Sequence, residues 1–181
     1  MKKIQPTTIF KATRDTSDKK ASNANDKNRL WWETMPMTYK SWEGDNRQLN
    51  TLEDFIQAEE VLFSNSPYLR NKFNFSAYSN KKVLDLGCGS GVLSIALAKY
   101  GADVTAADLT DTATKMTQLN ANLQQLDIKV VRADAENLAF ADETFDYIIS
   151  WGVLHHTENT EQAFNEVSRT LKTNGTGLVM V

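Results

Sequence analysis

Three glycines at alternate positions, Gly87, Gly89 and Gly91, separate a short apolar run from a helix-patterned segment. The run is Val83-Leu84-Asp85-Leu86, and the segment covers 92–100 before Gly101 stops it. A strand, a tight glycine turn and a helix start form a place where backbone approaches a nucleotide-like ligand closely. The spacing is not that of the dinucleotide fingerprint, which needs glycine where Val92 stands. Asp85, just ahead of the loop, repels phosphate and attracts a cation. An adenosyl ligand with a positively charged amino-acid tail therefore fits better than a nicotinamide dinucleotide.

From residue 81 onward, strand and helix patterns alternate. Strands are expected over 83–86, 103–107, 128–132, 147–150 (with Phe145 just ahead) and 178–181. Helices are expected over 92–100 and 111–126, the latter burying Met116, Leu119, Leu123 and Leu126. A third presents Phe164, Val167 and Leu171 and stops at Asn174-Gly175. Such alternation predicts an α/β fold: a doubly wound parallel sheet in the order 3-2-1-4-5, with ligands at the carboxyl ends of its strands.

Upstream, the texture differs. Residues 1–30 hold eight Lys and Arg against three Asp, so the rest of this net −3 chain is acidic. Residues 1–29 read as a disordered basic arm, too poor in apolar residues to offset ordering entropy. Residues 30–80 read as an N-terminal helical and aromatic extension. Trp31, Trp32 and Trp42 form either a hydrophobic strap on the main domain or an aromatic wall over a ligand pocket. Thr51-Leu52-Glu53-Asp54 is a capping box, opening a helix with Leu52, Phe55, Ile56, Leu62 and Phe63 on one face. Pro67 interrupts it.

The basic residues are not gathered on the folded part, which argues against nucleic acid as a partner. Cys88 is the only cysteine, so no intrachain disulfide forms, and a reducing cytoplasm is the simplest compartment. Its place between motif glycines marks it as a small residue that lets the backbone face the ligand rather than as a nucleophile. One cysteine and two histidines make no recognisable metal set, and no run is long and apolar enough to span a membrane.

Asp108 closes the second strand. Its carboxylate either accepts both ribose hydroxyl hydrogens or caps the next helix, and its register against the glycine loop favours the ribose. Ser150-Trp151-Gly152-Val153-Leu154-His155-His156 ends the fourth strand and holds both histidines of the chain. A neutral imidazole there is placed to deprotonate an acceptor near neutral pH. Trp151 either lines the pocket or packs in the core.

With the Asp-x-Gly-x-Gly-x-Gly motif followed in order by Asp108, Asp134, the 145–150 strand and the 171–181 segment, the sequence resembles the class I S-adenosylmethionine-dependent methyltransferases over about 81–181. The resemblance implies a Rossmann-like domain over that span, with S-adenosylmethionine as cofactor and a small-molecule methyl acceptor as partner. It assigns cofactor binding to Asp85, Gly87, Cys88, Gly89, Gly91, Asp108, Leu109, Asp134, Ala135 and Trp151. Asp134 would accept from the adenine amine, with a turn cap as its alternative role. His155 and His156 are the catalytic candidates, although Leu-His-His also orders the loop in small-molecule members such as quinone-biosynthesis-type enzymes. Family members continue past a fifth strand through two more, which this sequence lacks. That leaves strand five on an open edge, prone to self-association. It also keeps a second reading alive, a fragmentary or non-catalytic binding module. A nicotinamide oxidoreductase is disfavoured by the glycine spacing.

Overall fold

β1 (Lys82–Leu86) shows how the sheet is seated. Lys82 is exposed and the next four residues are buried. Strand alternation sends Val83 into the apolar cluster on one face and Leu84 and Leu86 into that on the other. β1 pairs in parallel with β2 (Asp103–Asp108) and β4 (Phe145–Trp151). Outside these, β3 (Lys129–Arg132) joins β2 and β5 (Leu171–Met180) joins β4. The resulting order, β3-β2-β1-β4-β5, is the one the sequence predicts. The structure, a computed structural model, describes residues 24–40, 44, 48–69 and 73–181. The expectations for residues 1–23 and Trp42 lie outside the described residues.

Helices cover both faces. On one, α2 (Leu52–Asn65), α3 (Val92–Lys99) and α4 (Asp111–Leu123) pack Phe55, Leu62, Ile95, Leu97 and Met116 against Val83, Val104 and Ile149. On the other, α5 (Thr160–Thr170) sets Ala163 and Val167 against Leu84, Leu86 and Ile148. α2 opens with the capping box read from the sequence. The Thr51 hydroxyl accepts from the Asp54 N–H at 3.2 Å, and Asp54 accepts from the Thr51 N–H at 3.0 Å.

Four expectations need correction. Residues 24–29 are helical, forming most of the first two turns of α1 (Ala24–Thr34), so the arm does not run to residue 29. Tertiary contacts from Asn28, Trp32 and Glu33, described below, hold what composition alone does not. The third helix of the Rossmann-like segment ends at Thr170 rather than at Asn174-Gly175. Leu171 already pairs with Phe145, and the register shifts before Tyr147 meets Thr176. Phe164 is 43% exposed rather than buried, and α5 instead turns Glu166 inward. There the Glu166 carboxylate accepts from the Leu138 N–H at 2.7 Å and from Arg169 Nε and Nη2 at 2.8 Å, tying the β3–β4 connection to the helix. Finally, Leu123, Leu52 and Ile56 are exposed; α4 buries the polar Thr117 and Asn120, and α2 buries Ala58 and Val61.

Asp85 is the charged group the sheet encloses most completely, being 2% exposed. Ser94 Oγ donates to its carboxylate at 2.5 Å. Burial outweighs that bond and, with the nearby Asp108 charge, pushes the Asp85 carboxyl up to about 6. A carboxyl raised on folding stabilises the fold most below its unfolded value near 3.8, and that contribution is lost as pH rises through about 6. Asp108 is raised too, by burial first, whereas Asp54, Asp146 and Glu166 are lowered by hydrogen bonds and act below about pH 4. Cofactor-free protein should therefore lose about 2–3 kcal/mol between pH 4 and pH 6 to Asp85. Asp85→Asn should flatten that limb of the thermal-midpoint profile; an unchanged slope would show that Asp85 is not the group responsible.

Candidate functional site

The carboxyl ends of the strands open into one cavity of about 250 Å³. Its floor is the β1–α3 loop with Gly87 and Gly89, and its walls carry Asp108, Leu109, Asp134 and Ala135 from the ends of β2 and β3. Trp151, Gly152, Val153 and His156 follow β4, and Met180 ends β5. Asn28, Trp32, Pro36, Met37 and Tyr39 cover it from the N-terminal segment, and Ser66 and Tyr68 close one side. Ligands in an open α/β sheet bind at this end.

The glycine loop is held by one turn bond of its own, Gly91 N–H to the Cys88 carbonyl at 2.8 Å, and otherwise by its neighbours. The Gly87 and Cys88 N–H groups both donate to the Ala107 carbonyl at 2.7 and 3.0 Å. Gly89 N–H donates to Asp108 at 3.1 Å. From α4, the Thr117 hydroxyl donates to the Gly89 carbonyl at 3.0 Å and Asn120 Nδ2 to the Ser90 carbonyl at 3.1 Å. A Cβ on Gly87 would lie 2.2 Å from Val153, and one on Gly91 2.9 Å from Thr117, both at positive φ. Those two glycines serve close packing, and Gly91 also caps α3. Gly89 faces the cavity, where a Cβ would meet only Met37 at 3.5 Å.

Asp108 takes three donors: Gly89 N–H on one oxygen, and the Thr110 N–H at 3.0 Å and hydroxyl at 2.9 Å on the other. The cap of α4 is Thr110, whose hydroxyl accepts from the Ala113 N–H; Asp108 orders the turn ahead of that cap and lines the cavity. Each carboxylate oxygen carries two lone pairs, so capacity for a ligand remains. Asp134 likewise accepts from the Glu136 N–H at 2.9 Å and lines the cavity.

Four sequence candidates stand outside the cavity lining. Asp85 lies beneath the loop, engaged by Ser94. Cys88 is buried, its sulfur accepting from Thr117 Oγ1 at 3.4 Å, and burial pushes its thiol well up, away from the reactive thiolate. Gly91 sits against α4. His155 is exposed, with its ring centroid 4.0 Å from that of His156.

His156 is the histidine that reaches the cavity. It ends a short 3-10 turn (Leu154–His156), and its ring meets Trp32 edge-on with centroids 5.3 Å apart. Burial, then the neighbouring His155, lowers its pKa below 6.5, so the imidazole is neutral at neutral pH. Trp151 lines the cavity against Tyr68, 5.9 Å between centroids. Of the tryptophan pair, Trp32 walls the cavity while Trp31 faces solvent.

The residues that sequence reading missed belong to the roof. Glu33 reaches from α1 to the start of α4, accepting from the Asp111 and Thr112 N–H groups at 3.0 Å each and from the Thr112 hydroxyl at 2.8 Å. Asn28 donates through Nδ2 to the His156 carbonyl. Neither carries a local pattern, since each acts across more than 75 residues of chain. Thr117 and Asn120 did carry a signal, as polar residues three apart on the inward face of α4.

No Lys or Arg lines the cavity among the described residues, whereas two carboxylates do. That donor set does not suit a pyrophosphate. It does suit a neutral adenosine carrying a cationic tail.

The methyltransferase domain family matches residues 84–179. The ubiquinone biosynthesis O-methyltransferase of Coxiella burnetii is 36% identical over 95 residues, covering 52% of this chain and 41% of that protein. The mitochondrial ubiquinone biosynthesis O-methyltransferase of Schizosaccharomyces pombe is 26% identical over 154 residues, covering 83% of this chain and 50% of that one. The chain thus spans about half the length of the curated relatives it matches. Among solved structures, the PH0226 protein of Pyrococcus horikoshii aligns at TM-score 0.58 with 31% identity, covering 67% of this chain and 57% of that one. The S-adenosylmethionine-dependent methyltransferase of Mesorhizobium loti aligns at 0.51 with 27% identity, covering 59% and 48%. A match over more than half of its length, on the loop and strand ends that build the cavity, makes this chain a member of the methyltransferase domain family, with S-adenosylmethionine as the family's cofactor.

Proposed function

We propose that this protein transfers a methyl group from S-adenosylmethionine to a hydroxyl of a small, largely apolar ring compound. The observation that carries the reading is the cavity itself: a glycine-loop floor, two carboxylates at the ends of β2 and β3, and walls of Trp32, Tyr68 and Trp151. When bound, the cofactor supplies a methyl group already activated on a sulfonium. Asp108, with one acceptor position left beside its three donors, would accept from a ribose hydroxyl. Asp134 would accept from the adenine amine, and Ala135 and Leu109, which line the same wall, would complete its pocket. Gly87 and Gly89 let backbone meet the amino-acid tail, and Asp85 favours its positive charge from below the loop. Trp151 and Trp32 keep water from the reacting atoms, which matters for a reaction that disperses charge.

His156 takes the acceptor's proton. Its lowered pKa favours the neutral form, it lines the cavity from an exposed turn, and its ring meets Trp32 edge-on. The oxygen acceptor is supported by the relatives, both named as O-methyltransferases. A second reading, a binding module without turnover, is supported by the span of the chain, about half of those relatives. Titration with S-adenosylmethionine, followed by a methyl-transfer assay on alkyl-substituted catechols, separates the two, since binding without transfer supports the module alone. Absence of cofactor binding would sink both.

The outer edge of β5 is a further feature, since β5 pairs only with β4 among the described residues. It supports self-association through that strand.

Two variants test the roles. Asp108→Ala should raise the cofactor Kd at least tenfold, through loss of charge-assisted bonds of about 1.5–3 kcal/mol. Unchanged calorimetric affinity would remove Asp108 from the site. His156→Gln should lower kcat about 100-fold and leave cofactor affinity alone. Because a base acts deprotonated, the wild-type rate should fall as pH drops below the lowered His156 value, and the variant should lose that limb. Equal losses in His155→Gln would assign the effect to loop order instead.

A further inference from the structure

α1 has two faces, and only one of them is used by the cavity. Asn28, Trp32 and Glu33 point inward, where they meet His156 and the start of α4. The opposite face carries Lys27, Leu30, Trp31 and Thr34, spaced i, i+3, i+4 and i+7, all exposed. Leu30 is 45% and Trp31 58% exposed, and Met35, one residue past the helix, is 56% exposed. Three large apolar side chains at these exposures within six residues form a patch rather than the isolated exposure normal for a protein surface.

Charge indicates what covers it. Residues 1–30 lead into and include most of this helix, and they hold eight Lys and Arg against three Asp in a chain whose remainder is acidic. Among the described side chains, two acidic groups near the patch are engaged: Glu33 faces the α4 backbone, and Asp111 pairs with Arg132 at 3.4 Å. An apolar helix face with Trp and Leu, Lys27 beside it and a cationic segment ahead of it has the chemistry of a helix that lies in a membrane interface. The cationic segment is drawn to anionic headgroups, and the apolar residues enter the acyl boundary.

We propose that the outer face of α1, through Leu30, Trp31 and Met35, docks this protein on an anionic lipid bilayer. Docking stands apart from the acceptor proposed above and needs no cofactor. Its geometry has one consequence for that site: the roof of the cavity becomes the part of the protein nearest the bilayer.

The test is co-sedimentation of the full chain with vesicles of phosphatidylcholine alone or mixed with phosphatidylglycerol, read alongside the tryptophan emission maximum. Binding should require phosphatidylglycerol, blue-shift the emission, and weaken at about 1 M salt, where the Debye length is about 3 Å. The double variant Leu30→Glu/Trp31→Glu should lower vesicle partition at least about tenfold while leaving cofactor affinity at the wild-type value, which shows that the fold persists. Equal partition onto both vesicle types, or full binding by the double variant, would overturn the proposal. So would an oligomer in sizing that the double variant dissolves, because the face would then be an interface between copies of this chain.

Discussion

A loop whose backbone must meet a ligand cannot spend its own hydrogen-bonding groups on a regular ladder, yet it cannot leave them unpaired either. The β1–α3 loop resolves this by drawing partners from outside. The Ala107 carbonyl takes two of its N–H groups, Asp108 takes a third, and Thr117 and Asn120 supply donors to its carbonyls. Loop, β2 end and α4 therefore form one unit. Displacing Asp108 would disturb both the cavity wall and the loop conformation. Gly87 and Gly91 complete the unit by letting Val153 and Thr117 approach within distances a side chain would forbid.

That unit concentrates negative charge. Asp85 lies under the loop, Asp108 on it, and Glu33 close enough to push the Asp108 carboxyl upward, although burial is the larger cause. Carboxylates raised by burial and by one another weaken the empty fold. The same arrangement favours any ligand that brings positive charge without phosphate. The electrostatic strain of the free protein and its proposed preference for a sulfonium cofactor have a common origin.

Strand order was legible because β1, β2 and β4 are short apolar runs separated by helix-period segments, a pattern compatible with few topologies. Asp108 and Asp134 were legible because they sit where such strands end. The end of α5 was not. Leu171 continues the helical period, and only its pairing with Phe145 stops the helix at Thr170. The inward side of α4 was misjudged at Leu123 because apolar periodicity gives no weight to the loop carbonyls that Thr117 and Asn120 must satisfy. Asp85 and Cys88 belong to the motif as read, but a motif does not show that Ser94 and Thr117 hold them buried behind the loop. The roof was least legible, since Asn28 and Glu33 act through contacts made far along the chain.

The roof and the rest of the N-terminal segment are attached by different kinds of force. α2 is fixed by Phe55, Leu62 and Phe63, each nearly inaccessible, so removing it would expose a core. Among the described contacts of α1 are polar links at Asn28 and Glu33 and the edge contact of Trp32 with His156. Hydrogen bonds at a half-exposed surface exchange with water at a net cost of about 0.5–1.5 kcal/mol each, more for the charged one. An opening confined to α1 exchanges polar links of this kind with water, while α2 and the sheet stay packed. Ligand entry by that route would leave Asp108, Asp134 and the glycine loop in place, and closure would restore Trp32 against His156 at the point where the proposed proton transfer occurs.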